Sequence, residues 1–143
     1  MSTEVSYVDD FSTCARTYAT LCLYSDRDVA SISHRLGIEP SRTSAPSSTT
    51  PAAQFGWFLS SDGAVTSRDL RRHLDWLIDL LAARATVFRE LLKLGVRGSV
   101  SCFWLSRYGH GGPIVSVAQL KALAELEVDL EFDIYLGRNS EAH

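Results

Sequence analysis

The segment from Val128 to Leu136 places the tightest limit on what this chain can fold into. Val128, Leu130, Phe132, Ile134 and Leu136 alternate with Asp129, Glu131, Asp133 and Tyr135. Successive side chains of a β-strand point to opposite faces, so this spacing predicts a strand with one apolar and one polar face. A strand covered on both faces would read as a continuous apolar run. The chain is therefore expected to build a sheet with helices on one side and water on the other.

Three more segments read as strands from their β-branched and aromatic content: Thr17–Tyr24, Phe55–Ser60 and Ser99–Leu105. In the first, Ala19, Leu21 and Leu23 share one face, and Tyr18, Thr20, Cys22 and Tyr24 the other. Asp26 or Asp28 is expected to cap a helix carrying Val29, Ile32 and Leu36, ended by Gly37 and barred from continuing by Pro40. The clearest helix opens at Thr66 or Ser67, with Leu70, Leu74, Leu77, Ile78 and Leu81 as its stripe. A break near 84–86 leads to a helix facing inward through Phe88, Leu91 and Leu92 and stopped by Gly95. Ser116 and Gln119 form a capping box that opens the last helix, whose buried face is expected to be Leu120, Leu123 and Ala124.

Residues 41–53, together with Pro40, hold three of the four prolines and little apolar surface, so a long mobile loop within one domain is expected. Residues 1–16 show no period and read as a loose N-terminal arm or a short edge element; 17–136 read as a single domain and 137–143 as a tail. The order strand, helix, strand, two helices, strand, helix, strand predicts an α+β fold. It should hold about four strands in a mixed or antiparallel sheet with helices packed on one face, similar to a ferredoxin-like sandwich. With 143 residues and 45% apolar content, the chain is large and apolar enough for one ordinary core, which excludes a chain disordered throughout.

Charge and composition narrow the partners. The net charge of −3, from 14 basic and 17 acidic residues, argues against a general nucleic-acid binder. No apolar stretch approaches the roughly 20 residues of a membrane helix. The region after Met1 carries Glu4, Asp9 and Asp10 and no apolar run, so neither a signal peptide nor a membrane partner is expected, and the expected address is cytoplasmic. Glu125, Glu127, Asp129, Glu131, Asp133 and Glu141 face a single base, Arg138, in the last quarter, a local field that can attract a basic partner.

The run TLCLYSDRDVASISHRLGIEPSRT resembles the opening of the bacterial domain-of-unknown-function family 4279: a strand, a helix ending in Leu-Gly, then a Pro-Ser/Thr turn. Trp57, the amphipathic helix 67–82, the Cys102–Trp104 strand with its Gly-rich turn and LEFDIY at 130–135 extend the likeness over 17–136. These motifs are caps, turns and core positions, and the resemblance carries no catalytic signature. Some members occur in settings that imply immunity proteins of bacterial toxin systems.

The expected partner-binding surface is the open sheet face. It should gather Tyr24 with Thr20 and Cys22, and Asp129, Glu131, Asp133 and Tyr135, joined by Trp57 and by one of Phe103 and Trp104. Aromatics anchor a partner, and carboxylates steer and pair with its Arg and Lys. A basic protein, for example a toxin, is the partner this chemistry suits, and no cofactor is required. The alternative is a ligand or catalytic site on the loop Gly109-His110-Gly111-Gly112-Pro113, with Asp26 and Asp28 converging on His110 and segment 41–53 as a lid. Cys102 with His110 is a conceivable nucleophile pair, though a mid-strand cysteine usually behaves as a small buried apolar residue. Cys14, Cys22 and Cys102 lack the clustered spacing of a zinc site, and no metal is expected.

Overall fold

The computed structural model of the chain describes residues 6–47 and 54–137. Among them, nine elements follow in order: β1 (Cys14–Ser25), α1 (Ala30–Leu36), β2 (Arg42–Ser44), β3 (Phe55–Ser60), α2 (Leu70–Ala82), α3 (Ala85–Lys93), β4 (Arg97–Ser106), α4 (Val117–Glu125) and β5 (Asp129–Leu136). The strands form one open sheet in the order β2-β3-β1-β4-β5. β1 runs antiparallel to both β3 and β4, β2 antiparallel to β3, and β5 parallel to β4. The α+β sandwich thus holds, with five strands rather than about four. Among the described residues no helix is long and apolar enough to cross a membrane.

The additional strand is β2, inside the segment whose composition marks it as a loop. Three exposed residues hold it: Thr43 faces Trp57 in the ladder, and next to them the Ser41 amide donates to the Phe58 carbonyl (2.7 Å) and the Ser60 amide to the Ser41 hydroxyl (2.9 Å). A strand this short carries no readable period. Residues 48–53 of the expected lid lie outside the described residues, as do 138–143 of the tail.

Local signals explain the helices. Asp28 accepts the Ser31 amide at 3.0 Å ahead of α1, and Gly37 ends that helix at φ 67°, a left-handed conformation that glycine adopts without strain. α2 opens at Leu70, where its stripe begins, rather than at Thr66 or Ser67, because Asp69 is its N-cap. Leu70, Leu74, Leu77 and Leu81 of α2 are buried against Ala19, Leu21 and Leu23 of β1, Trp57 and Leu59 of β3, and Val100 and Cys102 of β4. Ile32 and Leu36 of α1, Phe88 and Leu91 of α3 and Leu123 of α4 complete one core. All four helices lie on that side.

Two expectations about the ends of the chain need correction. The described part of the first sixteen residues is tied down, not loose: β1 already begins at Cys14, and the Val8 amide donates to Asp69 (2.8 Å). Asp9 takes the Arg72 guanidinium at 2.8 and 3.1 Å, and the Tyr7 hydroxyl donates to Asp75. At the other end, α4 buries Gln119 and Leu123, while Leu120 and Ala124 stay exposed. Gln119 accepts the Ser116 amide (2.8 Å) and donates to Asp75 on α2 (3.0 Å), which fixes the helix with its polar residue inward. Of the apolar file on β5, only Leu130 joins the core cluster, beside Val128 just before the strand. Phe132, Ile134 and Leu136 are exposed.

A buried polar clip joins β3 to α2. The Ser61 hydroxyl accepts the Ala19 amide (2.9 Å) and lies 2.6 Å from His73 Nδ1, while His73 Nε2 lies 2.9 Å from the Ser67 carbonyl. A carbonyl only accepts, so Nε2 bears the hydrogen, Nδ1 accepts from Ser61, and the ring is neutral. Burial pushes the His73 pKa below its ordinary value, against the raising contacts of Ser67, Asp62 and Asp69. Above pH about 6.5 both folded and unfolded rings are neutral and the clip adds no pH dependence. Below that, the unfolded ring takes a proton that the folded ring refuses, so stability falls as pH drops until the folded pKa is reached. Denaturant midpoints at pH 7.5 and 5 should show this fall in the wild type and much less of it in His73→Gln. A fall of equal size in both would place its origin elsewhere.

Candidate functional site

The ladder register assembles the open face. Tyr18, Phe103 and Asp133 form one row across β1, β4 and β5. Thr20, Ser101 and Glu131 form the next, and Cys22, Ser99 and Asp129 the third. Asp129, Glu131 and Asp133 are exposed, and among the described residues none of them is in an ion pair. Small Ser99 and Ser101 leave a low floor beside this acid file. Tyr18 stacks on Phe103 (ring centroids 4.8 Å apart, 13° between planes), and Phe103 meets Tyr135 at 5.3 Å. A continuous aromatic strip therefore crosses three strands next to the carboxylates. Tyr24 meets Phe58 edge-on at 5.8 Å at the other end of the face. Burial raises the Cys22 pKa, and the Glu131 charge adds to it; Tyr24 is also raised, by burial first and by Cys22 and Glu131 after it.

The face carries a second sign that the sequence pattern does not reveal. Arg42 lies over the Phe58 ring at 3.9 Å, and Arg16 lies 5.3 Å from the Tyr18 ring centroid while pairing with Asp62 at 2.5 Å. Arg42 and Arg97 line a depression with Tyr24, Asp26 and Phe58. The acids in no ion pair thus lie in a file on β5, whereas the arginines toward β1 and β2 have Asp62 and Asp26 beside them. The arginines come from strands distant in sequence, and only the pairing brings them together.

Trp57 does not belong to this face. It pairs opposite Leu23, which points to the helices, so its indole is fully buried, with Nε1 donating to the Ser33 hydroxyl of α1 at 2.9 Å. Of Phe103 and Trp104, Phe103 is on the open face and Trp104 is buried on the core side.

The alternative site does not assemble. β1 and β4 are antiparallel, so the turn after β1 and the loop after β4 lie at opposite ends of the sheet. β1 is 12 residues long, a separation on the order of 35 Å. Asp28 caps α1, its carboxyl held below the usual range by the Ser31 amide and hydroxyl, and Asp26 accepts from Gln54. His110 is exposed and stacks on Tyr108 at 6.0 Å. Its loop is fastened by Ser106, whose hydroxyl donates to the His110 carbonyl (3.1 Å) and accepts the Gly109 amide (3.0 Å). Gly111 is required there: φ is +77°, and a Cβ would come within 2.6 Å of Thr13 Oγ1. Gly111→Ala should cost about 2 kcal/mol, read as a lowered unfolding midpoint, with Gly112→Ala, which meets open space, near neutral.

Neither Cys102 nor Cys14 is an activated nucleophile. Burial drives the Cys102 thiol up to about 12 and Cys14 up to about 11, which keeps both protonated. The Ser61–His73 pair, which the sequence pattern does not reveal, is sealed: Ser61 is 0% and His73 1% exposed. Among the described residues no group of three His, Cys, Asp or Glu side chains is placed to hold a metal ion.

A family model described as "Domain of unknown function (DUF4279)" matches residues 15–137. No curated protein and no solved structure matches the chain.

Proposed function

The chain belongs to the DUF4279 family, whose description assigns no activity, and from its geometry we propose that it is a non-enzymatic protein-binding domain for a basic partner. The observation that carries this reading is the exposed file Asp129, Glu131 and Asp133 on β5, beside the stacked strip Tyr18, Phe103 and Tyr135. Aromatics already ordered by stacking lose little side-chain freedom on binding, and an unpaired carboxylate file raises the encounter rate with a cationic surface. The protonated buried thiols and the His73 ring engaged on both nitrogens support a binding role over a catalytic one. Within this class the reading extends to an immunity role in a bacterial cell. A toxin that cleaves nucleic acid needs a basic surface, and an acidic, aromatic face is suited to occlude it.

The test is a paired capture. Wild type and the triple variant Asp129→Lys, Glu131→Lys, Asp133→Lys serve as baits at low and high salt, and retained proteins are identified by mass. A basic protein at near-equal stoichiometry should stay on the wild type at low salt and leave at high salt. The triple variant should hold it at least tenfold more weakly, with an unfolding midpoint within about 1 kcal/mol of wild type because the changes are at the surface. Equal retention by both baits would remove this face from the account.

A further inference from the structure

Among the described residues β5 is an edge strand with nothing paired on its outer side, and side chains of both its faces are exposed from Glu131 onward. On the helix side, Phe132 and Ile134 continue the ladder rows of Cys102 and Trp104, which are fully buried. The apolar core surface therefore runs on past β4, but it is left 47% exposed at Phe132, 55% at Ile134 and 66% at Leu136. α4, the crossover between β4 and β5, leaves this row uncovered because Gln119 faces inward. Its own Val117 and Leu120 remain exposed. The other edge of the sheet, β2, offers only three residues, whereas β5 offers eight, or about 27 Å of unpaired backbone. Long edges with an apolar face are templates for another strand.

We propose that the β5 edge takes an extended segment of a partner protein as a sixth strand, and that residues of this segment alternate between apolar and basic. The inference rests on the protein-binding reading above and specifies how the partner is held. Side chains of an added strand alternate as β5 does, so one set falls beside Phe132, Ile134 and Leu136 and the other beside Asp129, Glu131 and Asp133. The first row favours aliphatic side chains, the second Lys or Arg. In the registers that set the acids opposite one another, the same charges disfavour a second copy of this chain. In a two-fold antiparallel pairing centred on Phe132, Glu131 would face the copy's Asp133; centred on Glu131, it would face itself. Like charges directly opposite are destabilising.

The probe is a labelled eight-residue peptide of alternating valine and lysine, capped at both ends, titrated against the full chain at low salt. Two further peptides carry backbone N-methyl groups at every valine or at every lysine. Alternate residues of a strand turn their N–H groups to opposite edges, so one methylated peptide should lose at least tenfold in affinity and the other should keep it. The triple charge reversal should weaken the parent peptide at least tenfold. Absence of binding by the parent peptide overturns the proposal. Equal binding by all three peptides overturns strand addition, while their common loss on charge reversal would still uphold the binding face. Binding untouched by charge reversal counts against both. A wild-type dimer that Ile134→Lys converts to monomer would make a second copy the occupant and overturn the proposal.

Discussion

Trp57→Ala is expected to destabilise the fold by about 4 kcal/mol, lowering the thermal midpoint by on the order of 12 °C. Three effects act together. The indole is fully buried between β3 and α1, so its removal opens a cavity. Its transfer free energy from water is lost, and the Ser33 hydroxyl loses its donor. Domains of ordinary stability hold about 5–15 kcal/mol in total, so this change approaches the limit of what the chain tolerates. Trp57→Phe keeps most of the volume and should cost less than half as much. An exposed indole on the open face would instead lose less than 1 kcal/mol on truncation and would show its effect in partner affinity. Stability curves of the two variants therefore decide which side of the sheet Trp57 serves.

Asp69→Ala should cost about 3 kcal/mol and free the N-terminal segment. Asp69 is 1% exposed and does three jobs: it caps α2 through the Arg71 amide (3.0 Å), takes the Arg71 guanidinium (2.7 and 3.1 Å) and accepts the Val8 amide (2.8 Å). Burial alone would push its carboxyl up, but Arg71 and the two amides outweigh burial and hold it below the usual carboxylate range. Loss of the cap accounts for about 1 kcal/mol. The rest comes from leaving the largely buried Arg71 without its anion. Arg71 also reaches the Ser6 carbonyl (3.1 Å) and the Ser116 hydroxyl (3.3 Å), so its release should raise hydrogen exchange from Tyr7 to Thr13 and at the start of α4. Asp69→Asn keeps a capping oxygen and should recover part of the loss. A variant with unchanged exchange before Cys14 would show that the segment is held without Asp69, by the Asp9–Arg72 pair and the Tyr7–Asp75 hydrogen bond.

Much of this fold is legible because its signals are local. The stripe Leu70, Leu74, Leu77 and Leu81, the stop at Gly37, the Ser116–Gln119 box and the alternation in β5 each need only a few neighbouring residues. What escapes depends on contacts between distant segments. FGWFLS has apolar residues on both faces, and only the pairing of Trp57 with Leu23 and of Phe58 with Cys22 decides which face is inward. β2 itself is three polar residues that become a strand only beside β3. Gln119 displaces Leu120 from the interior because Asp75, on another helix, completes its hydrogen bonds.

The candidate site divides the same way. Asp129, Glu131, Asp133 and Tyr135 follow from alternation alone and are exposed as that pattern requires. The facing arginines at 16 and 42, the aromatic strip and the bare row of Phe132, Ile134 and Leu136 follow from strand order and from the rotation of α4. Asp28 reads first as a cap, with a ligand role as the alternative, and in the structure its carboxylate accepts the Ser31 amide.

Amide hydrogen exchange of the full chain, with and without the valine–lysine peptide in excess, tests the binding account most directly. The account predicts slowed exchange at the amides of Asp129–Leu136, with α1, α3 and the loop at 107–113 unchanged. Protection confined to that loop, or to the helices, with β5 exchanging as in the free chain, would contradict it.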